Sequence, residues 1–177
     1  MTALSEPGRT LWLLRHAKSD QSVGGETGLP DHERPLAERG VRDATATGRL
    51  LVERGWRPDL VLCSSAVRTR QTWEHAASAG ATAEEVRIDR RIYNASAAIL
   101  LDLVRTVAAE VDSLLLIGHG PGVPDLADRL GIRPEPREVW RRMDEKYPTS
   151  GLAMLRFDDP WSALDAGELV AFETPRG

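Results

Sequence analysis

Cysteine occurs once in this sequence, at Cys63, so no internal disulfide can form and the chain suits a reducing compartment. Long apolar runs are missing too: nothing approaches the roughly 20 residues needed to cross a bilayer. The opening MTALSEPGRT lacks the apolar core of a secretory leader. A cytoplasmic protein without membrane partners is therefore expected. Basic residues are outnumbered, 23 Lys and Arg against 27 Asp and Glu, and the net charge of -4 argues against nucleic acid as the main partner. Histidine is sparse, and the four copies show no HxxxH or CxxC spacing, so neither a metal nor another cofactor is expected. Aromatic residues amount to 5%, and the tryptophans at 12, 56, 73, 140 and 161 are scattered, as packing residues are.

What is present is ordinary globular material. Hydrophobic residues make up 41% of the chain and charged residues 28%, and 177 residues suit one domain spanning 1–177. Strand-sized apolar runs lie at Leu11 to Leu14, Leu60 to Cys63, Leu114 to Ile117 and Leu152 to Leu155. A further strand is expected ahead of the segment DRRIYNASA. Helical spacing links Val41, Ala44, Gly48 and Leu51, with Gly55 as the stop. A second stripe joins Ile99, Leu103 and Val107 with Leu100 and Val104, capped by Ser96, and Ala66 to Ala79 forms a third helix.

Strands alternating with helices predict an α/β fold, a mainly parallel central sheet with helices on both faces. SDQSVGGETGLPDHERP reads as a loop beside a site, and RPEPREVWRRMDEKYP as a short helical insertion with a solvated charged face (Arg137, Arg141, Arg142, Asp144, Glu145, Lys146). The end of the chain reads as two strands joined by DDPWSALDAG.

In open α/β sheets, ligands bind beyond the carboxyl ends of the strands. There the sequence places Arg15 and His16 after the first strand, Arg68 at the start of a helix after the second, and His119 within GHGPG after the fourth. Two arginines and two histidines suit a phosphoryl group. Guanidinium forks bind phosphate oxygens, and a helix's first turn favours anions. A neutral His16 can then act as nucleophile, forming a phosphohistidine that water hydrolyses. A protonated His119 would stabilise the oxygens as charge develops on them, and Gly118, Gly120 and Gly122 would let the backbone approach the anion. His75, mid-helix, and His32, in a charged loop, read as structural or solvated.

The segments LLRHAKS, DHERPLAERG, CSSAVRTRQTWE and LIGHGPGVPDLA, in that order, resemble the motifs of the histidine phosphatase superfamily, and within it the small phosphohistidine phosphatases of the SixA type. The resemblance runs from Leu11 to Phe172. It implies a phosphoglycerate mutase-like fold, His16 as nucleophile, and Arg15, Arg68 and His119 as the groups that hold the phosphoryl. Two departures stand out. Gly120 replaces the Asn more frequent in the family, and DRRIYNASA lacks the acid that ester-cleaving members carry after the third strand, Asp89 standing too early. Asp20 and Asp31 are both left as candidate donors.

An alkoxide needs a proton to leave, whereas imidazole, with a conjugate-acid pKa of about 6.5, is less demanding. The expected substrate is thus phosphohistidine on a partner protein, with a small phosphate compound as the alternative partner. A non-catalytic phosphate-recognition module is a rival reading, which retention of both histidines and both arginines disfavours. A cysteine phosphatase is another, but only four residues separate Cys63 from Arg68 where a CxxxxxR loop needs five.

Overall fold

Four apolar runs become four of the five inner strands of one seven-stranded sheet, because each is long enough to cross the core and too short for a helix. The structure, a computed structural model, describes residues 8–24, 28–135 and 138–177. The expected helical insertion is present, although its Arg137 lies outside the described residues. In chain order the elements are β1 (Arg9–Arg15), α1 (Glu38–Glu53), β2 (Leu60–Ser64), α2 (Val67–Ser78), β3 (Glu85–Asp89), α3 (Ala97–Arg105), β4 (Ser113–Gly118), α4 (Gly122–Leu130), β5 (Gly131–Ile132), α5 (Glu138–Glu145), β6 (Leu152–Phe157) and β7 (Gly167–Glu173).

The strand order is β3-β2-β4-β1-β6-β7-β5. Strands β3, β2, β4 and β1 run parallel, β6 lies antiparallel to both β1 and β7, and β5 closes the far edge parallel to β7. Period-two alternation splits β1 between two cores. Leu11 and Leu13 face the layer of α3, α4 and α5, while Trp12 and Leu14 face that of α1 and α2. All four are almost fully buried, and each such side chain contributes about 2 kcal/mol. The mainly parallel α/β sheet covered on both faces is as expected.

Local details depart from the periodic reading. Ser96 Oγ accepts the Ile99 N–H at the start of α3, yet Ile99 itself is 48% exposed and the helix ends before Val107, where Thr106 donates to the Leu103 carbonyl. Strand β3, EVRID, is exposed along nearly its whole length because it forms the sheet edge, and the two-residue β5 has no apolar run at all.

Candidate active site

The carboxyl end of β1 is pinned from both sides before any side chain is considered. Arg15 N–H donates to the Gly151 carbonyl and His16 N–H to the Gly118 carbonyl, each at 3.0 Å. The Ser150 N–H reaches the carbonyls of both Arg15 and His16 at 3.1 Å. Residue 16 therefore leaves the strand in a fixed direction. Its ring is 7% exposed, and Nδ1 lies 2.7 Å from the Ala17 carbonyl, which can only accept. That bond assigns the proton of the neutral ring to Nδ1 and leaves a lone pair on Nε2. Ala17 is held in turn by Thr72 Oγ1, which donates to the Arg68 carbonyl, so the histidine and α2 are tied together.

Arg68, the second residue of α2, is 4% exposed and points Nε at His16 Nε2 over 3.4 Å. Both ends of its fork are occupied by one residue: Nη1 donates to the Asp31 carbonyl at 2.7 Å and Nη2 to Asp31 Oδ2 at 3.0 Å. Asp31 sits in a single 3₁₀ turn after the loop that follows β1, and Arg34 at 2.5 Å and the Tyr93 hydroxyl at 2.7 Å also donate to its carboxylate. The Tyr93 bond, then Arg34 and Arg68, hold that carboxyl well below the usual carboxylate range, against the opposing effect of burial. Arg15 donates from Nη1 to the Tyr147 carbonyl at 2.9 Å, and its buried Nε has no partner among the described residues.

His119, 6% exposed, places its ring 5.2 Å from that of His16 and 2.7 Å, through Nε2, from Ser64 Oγ. Ser64 Oγ accepts from the Ala66 N–H, so its own proton is free for His119 Nε2. The proton of the neutral His119 ring is then on Nδ1, buried and without a partner among the described residues. Burial first, then the neighbouring His16 and Arg68, lower the His119 pKa to about 3. Of the two forms, burial among cations favours the neutral ring, which still offers one N–H. Burial, followed among the lowering causes by Arg68 and Arg15, takes His16 down to about 4, against the Ala17 bond that favours the charged ring.

These shifts carry a stability consequence. Both rings bind protons less readily in the native state than unfolded, so their contribution is complete above pH about 6.5 and is lost as pH falls toward about 4. Between pH 7 and 4.5 the His16 share alone corresponds to about 2–3 kcal/mol. Urea titrations at the two pH values should show that fall, and His16→Asn should lose less over the same interval. An equal loss in both proteins would contradict it.

The remaining expectations separate cleanly. His16, Arg15, Arg68 and His119 converge at one end of the sheet. Asp20 instead folds back on Ser22, accepting its N–H at 2.8 Å and its hydroxyl at 2.6 Å, and Asp89 is taken by the Arg91 backbone and guanidinium. Cys63 is fully buried, and burial pushes its thiol up to about 12. The three glycines all stand close to protein neighbours. A Cβ at Gly122 would meet the Ala95 carbonyl at 2.1 Å, one at Gly118 would meet Val123 at 2.9 Å, and one at Gly120 would crowd Arg15 at 3.2 Å. His32, read as structural or solvated, lies at the rim: Nε2 is 2.8 Å from Ser65 Oγ and the ring meets Tyr93 edge-on at 4.8 Å. Tyr93 itself, edge-on to His119 at 5.5 Å, had no sequence signal beyond its place after β3.

Two guanidiniums, two imidazoles that both carry their proton on Nδ1 and a helix start gather past the ends of parallel strands, an arrangement chemically able to hold an anion beside a ring nitrogen. Comparison with known proteins agrees. The family model of the histidine phosphatase superfamily (branch 1) matches residues 11–112, and the chain belongs to that superfamily. An uncharacterized protein of Mycobacterium tuberculosis is 39% identical over 166 residues, covering 92% of this chain and all of that one. Two solved structures, each described as a candidate phosphohistidine phosphatase SixA, are 30% identical to this chain. That from Nakamurella multipartitia superimposes with a TM-score of 0.78 over 96% of this chain and 99% of its own. That from Agrobacterium tumefaciens gives 0.75 over 94% and 99%.

Proposed function

We propose that the protein is a phosphohistidine phosphatase that removes the phosphoryl group from a histidine of a partner protein through a covalent intermediate on His16. The observation that carries this reading is the pairing of a proton fixed on His16 Nδ1 with an Nε2 lone pair whose one partner among the described residues is the long 3.4 Å bond from Arg68 Nε–H. An uncharged ring attacks; a protonated one cannot. Arg15 Nε–H and His119 Nδ1–H, both buried and without a partner among the described residues, contact the phosphoryl oxygens without reorganisation, and Arg68 Nε–H exchanges its long bond to His16 Nε2 for a phosphoryl oxygen, freeing the lone pair for attack.

In the first half-reaction, the Nε2 lone pair bonds to phosphorus as the bond to the leaving nitrogen breaks. In the second, water attacks phosphorus and the electron pair returns to Nε2. Arginines strengthen both steps by holding the oxygens and lowering the repulsion between nucleophile and dianion.

The substrate class follows from what surrounds the phosphoryl pocket. Neither Asp20 nor Asp89 faces it, and Asp31, bound by three donors, is ionised, so none of these carboxyls offers a proton to an alkoxide. A leaving imidazole does not need one. The test is phosphate release from a phosphohistidine protein, an aryl phosphate and a sugar phosphate under one set of conditions. The phosphohistidine protein should have the highest kcat/KM, and the sugar phosphate should fall at least about 100-fold below it. A sugar phosphate turned over as fast would defeat the reading.

A further inference from the structure

We propose that Asp31 recognises the leaving group, its carboxylate accepting the N–H on the far nitrogen of the substrate's phosphorylated imidazole, which makes it the residue that selects phosphohistidine over phosphate esters. The assignment rests on the phosphohistidine reading above and deepens it. An ionised carboxylate has about four acceptor sites. On Asp31, Oδ2 takes the Tyr93 hydroxyl and Arg68 Nη2, while Oδ1 takes Arg34 alone. One acceptor site is left, on Oδ1.

The position is as telling as the valence. The Asp31 side chain is half exposed, whereas the Arg68 side chain it grips is 5% exposed, so the carboxylate stands between the buried pocket and open space. On the outer side it forms part of the wall of a cleft of about 560 Å³, with Gln21, Leu29, Pro30 and Arg34. The one Arg68 guanidinium reaches from His16 Nε2 to Asp31 Oδ2, so a phosphoryl group held at its Nε end lies one guanidinium away from the Asp31 carboxylate. The residue cannot swing away freely, because its carbonyl is held by Arg68 Nη1 and Arg34 donates to its carboxylate while bonding Ser19 Oγ at 2.9 Å.

The chemistry explains why an acceptor is wanted there rather than a donor. When the far ring nitrogen carries a proton, attack by His16 breaks the P–N bond, its electron pair stays on the departing nitrogen, and the group leaves as neutral imidazole still holding its N–H. Water then releases dihydrogen phosphate from His16, and no proton from the enzyme is consumed. A fixed anion at the far nitrogen favours that protonated, better-leaving form. A phosphate ester has no such N–H, so for it Asp31 serves only by holding Arg68.

The experiment measures kcat/KM across pH for wild type and Asp31→Asn with a phosphohistidine peptide and an aryl phosphate. Asparagine keeps the shape and one carbonyl acceptor. The variant should lose about 10- to 100-fold more on the peptide than on the aryl phosphate, the range of one charge-assisted hydrogen bond, while the loss common to both substrates reports the weakened grip on Arg68. In wild type, kcat on the peptide, followed over the same pH range, should fall on an alkaline limb that the aryl phosphate lacks, and that kcat limb should move to lower pH in the variant. Equal losses on both substrates would reduce Asp31 to a positioner of Arg68 and overturn the proposal. So would a wild-type peptide profile without the alkaline limb, which needs no variant to be seen. If wild type cleaves the aryl phosphate through His16 but not the peptide, the substrate class fails, and the role of Asp31 falls with it while the nucleophile stands.

Discussion

His16→Ala should release phosphate at least about 10,000-fold more slowly than wild type, because no other group can take over the attack. Cys63 is buried with its thiol pushed up to about 12. The His119 ring centroid is 5.2 Å from that of His16, and its Nε2 is engaged with Ser64. Arg15 and Arg68 are held by contacts that do not involve the His16 side chain, namely the Tyr147 carbonyl and Asp31. The variant should therefore still bind orthovanadate or inorganic phosphate within about tenfold of wild type. Rapid quench with labelled substrate should trap a phosphoenzyme in wild type that survives alkali and decays in acid, and none in the variant. Residual turnover within tenfold of wild type, or an acid-stable phosphoenzyme, would remove His16 from the mechanism.

The second large effect lies far from the pocket. Gly48, in the middle of α1, meets α2 so closely that a Cβ there would stand 2.2 Å from the Ala76 carbonyl oxygen and 2.7 Å from its Cα. Backbone cannot yield as a side-chain tip does, so even Gly48→Ala must separate two helices that share the core with Trp12, Val61 and Leu115. The expected cost is about 3 kcal/mol or more, despite the helix propensity gained by replacing glycine. Denaturant midpoints of the two proteins measure it. Turnover per folded molecule should be unchanged, since α1 contributes no side chain to the pocket. A variant as stable as wild type would mean that the helices are not in this contact.

What was legible in the sequence was whatever the hydrophobic effect writes locally. Leu11 to Leu14 and Leu114 to Ile117 are buried on both faces, so their apolar runs mark strands and the residues after them mark the functional end of the sheet. Strand β3 defeats that logic because an edge strand at the surface carries Glu85, Arg87 and Asp89 among its apolar residues. The site divides in the same way. Arg15, His16, Arg68 and His119 follow strands and could be found by position. Ser64, Tyr93 and Tyr147 serve through contacts with residues 55, 62 and 132 positions away, which no local pattern encodes. Asp31 shows the limit most plainly: as a carboxylate in a loop it is a candidate proton donor, and only the three donors converging on it reveal a permanent anion.

The order of the strands has a consequence for how the protein is made. His16 and Arg68 stand just after β1 and β2, which are not neighbours in the sheet: β4, synthesised about fifty residues after β2, separates them and leads into His119 as well. The β1 end also waits for Ser150 and Gly151, later still. A nascent chain on the ribosome thus carries every early residue of the pocket without having the pocket. Chemical competence should arrive in a single late step, with the closing of the sheet around β4 and β6.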